Sequence, residues 1–279
     1  MQFDFSAKGK AAISMGPYEE AIIEDFPEEL EGYSEYPAAA NLFEAPDEDD
    51  WKKLRKALLY LKRNPGLPLT LEASDLSLIN WYVDASFAVH PDYKSHTGGM
   101  MTLGKSGRGA VMDICAKQRS NATSSTQTEL YGVDQTMPKM IWAKHFLEAQ
   151  GFESRTVLHQ DNTSTIRLEV NGKKSSGQRT RHLHIKYFFV TDQLKEGWLS
   201  VQYCPTAEMN GDLNMKPLQG ELWRKFMGCA QNCSPDLPPD AIHTIPACPP
   251  PSPGSLQECV GDTAMKKVSW ADVVAGERI

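Results

Sequence analysis

The spacing of apolar residues changes along the chain, and each change marks an element. Trp51, Leu54, Leu58, Leu59 and Leu61 recur at helical intervals. Four acidic residues, Asp47 to Asp50, precede them and basic residues follow, an order that suits a helix dipole, and Asn64-Pro65-Gly66 stops the helix. Its lysines either solvate a surface or meet nucleic acid. Leu67, Leu69 and Leu71 then alternate, and Pro68 confines any strand there to an edge. Leu78 through Trp81-Tyr82-Val83-Asp84-Ala85 predicts a buried strand, because Trp, Tyr and Val pack well on a pleated surface. Gly98 to Gly104 and Ala110 to Ala116 predict two more strands. Gly107 and Gly109 supply the turn between them, which gives an antiparallel meander.

A long helical pattern begins at Ser124-Ser125, with Ser125 as the expected cap. Leu130, Val133, Met137, Met140 and Ile141 form its apolar face, Pro138 is expected to kink or split it, and Gly151 ends it. Val157 to Asp161 predicts a fourth strand, Thr163 to Glu169 a short helix, Asn171 to Gln178 a polar loop and His182 to Leu194 a further helix. Trp198 to Cys204 alternates as a fifth strand, and a last helix is expected near Gly220 to Met227. This order defines a mixed five-stranded sheet flanked by helices, α/β or α+β in class.

Both ends differ in texture. Residues 1–50 read as a poorly packed acidic lead-in, with a helix turn or two in the Tyr18–Phe26 patch. From Cys229 prolines crowd a short span, which predicts a disordered tail over 229–279. Domain limits are therefore expected at 1–50, 51–77, 78–228 and 229–279. With 279 residues the chain is long enough for one sizeable domain plus extensions, or for two small ones.

Charge sharpens this division. The formal net charge is -7, but residues 1–50 carry -12, residues 51–228 carry +8 and residues 229–279 carry -3. A basic body between acidic ends either attracts a phosphate backbone or simply solvates a surface. The six cysteines include no CxxC pair, and the spacing of Cys229 and Cys233 does not suit zinc. No secretory signal or spanning helix is legible, so the expectation is a soluble intracellular protein, cytoplasmic or nuclear, with no membrane partner. Nothing in the sequence sets an oligomeric state.

Four acids sit where carboxylates are unusual. Asp84 lies inside an apolar strand, Asp161 ends another, Glu129 precedes Leu130 on the long helix, and Asp212 follows Asn210-Gly211 after the fifth strand. A charge near a core costs several kcal/mol unless paired. Together, four would repel one another unless divalent cations joined them, and oxygen ligands favour Mg²⁺ or Mn²⁺. Two ions about 4 Å apart would bridge a scissile phosphate, with Asp84 as the shared ligand. Taken one at a time, each acid reads equally as a surface residue or a helix cap.

Ordered motifs join them. Tyr82-Val83-Asp84-Ala85, Ser95-His96-Thr97-Gly98-Gly99, Ser124-Ser125-Thr126-Gln127-Thr128-Glu129, Gln160-Asp161-Asn162-Thr163-Ser164, Arg179-Thr180-Arg181-His182-Leu183-His184, Gly211-Asp212-Leu213 and Lys216-Pro217-Leu218 follow in sequence. This set resembles the ribonuclease H domain of Ty1/copia-type retrotransposon polyproteins, over roughly residues 51 to 228. The resemblance implies a ribonuclease H-like fold. It also implies that Asp84, Glu129, Asp161 and Asp212 are metal-binding catalytic acids that cut the RNA strand of an RNA–DNA hybrid. It makes 51–77 a connector and 1–50 a remnant of the polymerase's C-terminal part. The polymerase's own YxDD-type motif is absent, so no DNA synthesis is expected. The family usually has an acid at Gln127 and a threonine at Met215, departures that bear on capping or ligand orientation. The tail does not resemble the family, which suggests a truncated or rearranged copy.

Further residues carry two readings. Ser124, Ser125, Asn162 and Gln118 can hydrogen-bond a hybrid whose 2′-hydroxyls mark the RNA strand. Arg179, Arg181 and His182 form a basic stretch in which His182 either assists leaving-group protonation or contacts phosphate, or else caps or packs a helix. Three functions remain at this point: a metal-dependent nuclease, an inactive remnant that keeps the fold, and a nucleic-acid-binding module.

Overall fold

Nine consecutive residues with both faces covered form the centre of the fold. This strand, β4 (Leu78–Ser86), buries Ile79, Trp81 and Val83 completely. In the computed structural model, residues 1–7, 10–32, 34, 47–72, 75–172 and 184–232 are described, of 184–188 the backbone alone. All belong to the compact unit Met1–His243. β5 (His96–Leu103) and β6 (Ala110–Lys117) continue from β4 as an antiparallel meander. β7 (Arg155–Gln160) pairs parallel to the other edge of β4, and β8 (Leu199–Tyr203) pairs parallel to β7. The sheet order is β6-β5-β4-β7-β8, a mixed five-stranded sheet.

The helix α3 (Ser125–Ala149) covers one face. Its Val133, Met137 and Met140 are fully buried and join Ile79, Trp81, Val83 and Leu158 in the main core. Fully burying each such side chain contributes roughly 1.5–3 kcal/mol. That packing lies on both sides of Pro138 and explains why the helix continues through it rather than splitting there. The cap also differs by one residue: Ser124, not Ser125, accepts from the amide of Gln127 at 3.2 Å. α4 (Thr163–Asn171) and α5 (His184–Lys195) complete this layer. On the other face lie α6 (Gly220–Gln231) and a short 3-10 helix, Asn210–Asn214. α6 reaches past Cys229, where the tail was expected to begin. The carbonyl of Cys229 accepts from the amide of Gly109 at 2.8 Å, and Asn232 caps the helix in the left-handed region.

The lead-in is more ordered than expected. β1 (Gln2–Asp4) and β2 (Lys10–Ser14) pair antiparallel, and β3 (Leu69–Glu72) adds to β2 as an edge strand after Pro68. α1 (Gly16–Glu24) packs Ile22 and Ile23 against Leu58 and Leu59 of α2 (Glu48–Arg63). Asp47 caps α2 in a reciprocal capping box with Asp50. Residues far apart in sequence supply the partners here, which a local acidic composition does not reveal. The expected polar loop 171–178 lies largely outside the described residues, as does the tail beyond Asn232.

Candidate active site

Asp84 occupies the strand position opposite Gly98, on the sheet face that carries the 3-10 helix. A side chain on Gly98 would place its Cβ 2.6 Å from the carbonyl oxygen of Gly211, and one on Gly211 would come 2.8 Å from the carbonyl oxygen of Tyr82. These two glycines therefore let the 3-10 helix lie directly on the strands. That contact brings Asp212, which is 1% exposed, to Asp84, which is 4% exposed. Glu129 comes from the second turn of α3 and is also buried. A polar network fixes the start of that helix: Ser95 Oγ meets Thr128 Oγ1 at 3.1 Å, and Gln118 Nε2 donates to Thr97 Oγ1 and to the carbonyl of Thr128. Asp161 follows the last residue of β7, and Thr206 Oγ1 donates to its Oδ2 at 3.0 Å.

The four acids converge. One ligand oxygen each from Asp84, Glu129 and Asp161 lies within 4.8 Å of the others. Asp212 joins through Lys216, whose Nζ donates to Asp84 Oδ2 at 3.1 Å and to both carboxylate oxygens of Asp212 at 2.8 Å. Burial opposes charge on Asp84, yet hydrogen bonds from Asp212 and Glu129 and the Lys216 ammonium hold it below the usual carboxylate range. Its partners move the other way. Burial and the charge of Asp84 push Glu129 up to about 11. Burial and the bond to Asp84 push Asp212 up to about 7, and burial with the Asp84 charge also raises Asp161. By itself the cluster keeps protons rather than hold four negative charges.

The donor set fits a hard divalent cation. It is all oxygen, it is compact, and Glu129 Oε2 is buried without a hydrogen-bond partner among the described residues. Asp84, Glu129 and Asp161 are the residues that would hold it.

The other expected residues divide. Ser124 and Asn162 cap α3 and α4, the two helices that begin beside Glu129 and Asp161. Ser125 is exposed. Gln118 is 2% exposed and its amide is directed inward. Arg179, Arg181 and His182 lie outside the described residues. Gln127 bonds Thr123 and Tyr131 near the cap, and Met215 Sδ accepts from Ser86 Oγ at 3.5 Å. Lys216 and Thr206 were not recognised from the sequence as parts of the site. The signal available for Lys216 was its place four residues after Asp212, a spacing at which opposite charges meet.

A mixed sheet in the order β6-β5-β4-β7-β8, flanked by helices and with acids from β4, α3, the end of β7 and the turn after β8, matches the architecture expected of a ribonuclease H-like fold. No family model matches the chain. It is similar to the Retrovirus-related Pol polyprotein from transposon TNT 1-94 of Nicotiana tabacum, 29% identical over 198 residues, 69% of this chain and 14% of that protein. It is likewise 27% identical over 184 residues to the Retrovirus-related Pol polyprotein from transposon RE2 of Arabidopsis thaliana, 65% of this chain and 12% of that one. The chain thus spans 12–14% of the length of these curated relatives. The expected resemblance to a retrotransposon Pol polyprotein is borne out. Among solved structures, LC11-RNase H1 isolated from compost matches with 12% identity and a TM-score of 0.36, over 47% of this chain and 86% of its own. No helix among the described residues is long and apolar enough to cross a membrane.

Proposed function

We propose that this chain is a metal-dependent nuclease that cuts the RNA strand of an RNA–DNA hybrid. The observation that carries this reading is the convergence of Asp84, Glu129 and Asp161 within 4.8 Å, from three separate elements, with Asp212 adjoining through Lys216. The resemblance to transposon Pol polyproteins supports the choice of substrate. Asp84, Glu129 and Asp161 would hold Mg²⁺ or Mn²⁺, with Asp212 at a second ion. When bound, such ions supply Lewis acidity at a phosphoryl oxygen and lower the pKa of a bound water.

The chain's own residues do the positioning. β4 holds Asp84 rigidly, and the amide of Ala85 donates to its Oδ1 at 2.8 Å. Thr206 fixes the orientation of Asp161. The starts of α3 and α4 place a positive dipole end next to the acids, which suits a phosphate backbone. Ser124, Ser125 and Asn162 at those starts, with Arg179, Arg181 and His182, are the proposed hybrid contacts. The proposed site of action is intracellular, cytoplasmic or nuclear.

The test is incubation of the full chain with a labelled RNA–DNA hybrid and Mg²⁺. Cleavage of the RNA strand is expected, falling by roughly a thousandfold or more in Asp84→Asn, about 4 kcal/mol of transition-state stabilisation. Folded protein that binds the hybrid and leaves it intact would overturn the reading in favour of a binding module.

A further inference from the structure

The cluster is not open on all sides. Both oxygens of Asp212 accept from Lys216 Nζ, and those of Asp84 are taken by Lys216 and by the amide of Ala85. On the opposite side Glu129 hydrogen-bonds Asp84 and Asp161 accepts from Thr206, but Glu129 Oε2 is buried with no partner among the described residues. The triad able to share one cation is accordingly Asp84, Glu129 and Asp161, without Asp212. Two halves result. One is ready for a cation, and an ammonium already fills the other.

We propose that Lys216 is a built-in counter-cation that competes with a divalent metal ion for Asp84 and Asp212. Its Nζ stands where a cation ligated by those two carboxylates would stand. The backbone amide of Lys216 bonds the carbonyl of Asp212 at 2.9 Å, which fixes the base of the side chain. The side chain is 36% exposed, so its four-carbon stem can carry the ammonium into solvent when metal arrives. In the metal-free chain the ammonium limits repulsion within the cluster. In the loaded chain it is displaced, so the half of the cluster that contains Asp212 binds metal more weakly than the triad does. This inference rests on the cluster's being a metal centre, as proposed above, but not on hybrid cleavage.

Calorimetric titration of the full chain with Mn²⁺ tests it without an activity readout. Wild type is expected to show a tighter and a weaker binding event. In Lys216→Met, which keeps an apolar stem without the charge, the weaker event tightens by about tenfold to a hundredfold, the range a charge-assisted hydrogen bond commands. In chelator, Lys216→Met melts below wild type. Weaker or unchanged Mn²⁺ binding in this variant overturns the proposal. A measurement on wild type alone stands if the variant does not fold. Trace acetylation, read by mass spectrometry, should label Lys216 several-fold faster with Mn²⁺ than with chelator, and equal labelling overturns the proposal. Metal-dependent changes at Lys216 in a chain that leaves hybrid uncut would reject the nuclease reading and keep this one.

Discussion

Glu169 is the clearest case of a side chain whose setting dictates its protonation. It is fully buried on α4, and neither carboxylate oxygen has a partner among the described residues. Burial pushes its pKa up to about 8 from 4.5. The sign follows from linkage: below about 4.5 folded and unfolded chains both carry the proton, whereas between 4.5 and 8 only the folded chain does. Stability is therefore complete at low pH and declines as pH rises towards 8. Glu169→Gln should flatten that decline and gain roughly 2–5 kcal/mol at pH 8, at 1.36 kcal/mol per pKa unit. Denaturant unfolding at pH 5 and pH 8 reads the difference, and parallel slopes in the two proteins would contradict it. Glu169 stayed inconspicuous in the sequence because it ends a short amphipathic stretch, where a glutamate is ordinary.

Among elements, the contact of the 3-10 helix with β4 and β5 controls the site. Gly98→Ala would set a methyl group 2.6 Å from the Gly211 carbonyl oxygen and 2.7 Å from Met215 Cγ. Overpacking of this kind costs about 1–3 kcal/mol. The shift should also move Asp212 and Lys216 away from Asp84, so Gly98→Ala is expected to lower both the melting temperature and the affinity of the weaker Mn²⁺ event. A variant that melts lower but binds Mn²⁺ as wild type does would separate the two effects and count against this role for the contact. The strands and helices from Leu78 onward were legible in their order because each has its own period: alternation for β8, an apolar run for β4, a 3.6-residue stripe for α3. The β1–β2 pair was not, because its third strand lies some 55 residues further on, at Leu69–Glu72. Likewise, all four acids were legible as anomalies, but their convergence followed only from the ordered motifs and not from their spacing. Thr206 and Lys216 were missed because their roles exist only once Asp161 and Asp212 are in place.

At the scale of the whole molecule, the proposed metal centre would link stability to metal. Binding to the folded chain alone adds about 2.7 kcal/mol at a hundredfold excess over Kd. Melting in Mn²⁺ should thus lie well above melting in chelator, and Asp161→Asn should shrink the gap. Coincident melting curves would remove the cluster's claim to bind metal.

The position of Asp212 in the chain has a consequence for synthesis. A nascent chain that has reached Tyr203 already contains all five strands and three of the acids. The next turn delivers one more acid and its own ammonium four residues later. That turn leaves the formal charge of the cluster unchanged, since one carboxylate and one ammonium arrive together. Vectorial folding on the ribosome can therefore settle the sheet first and add the fourth acid as a formally neutral insert, without reopening what has already packed.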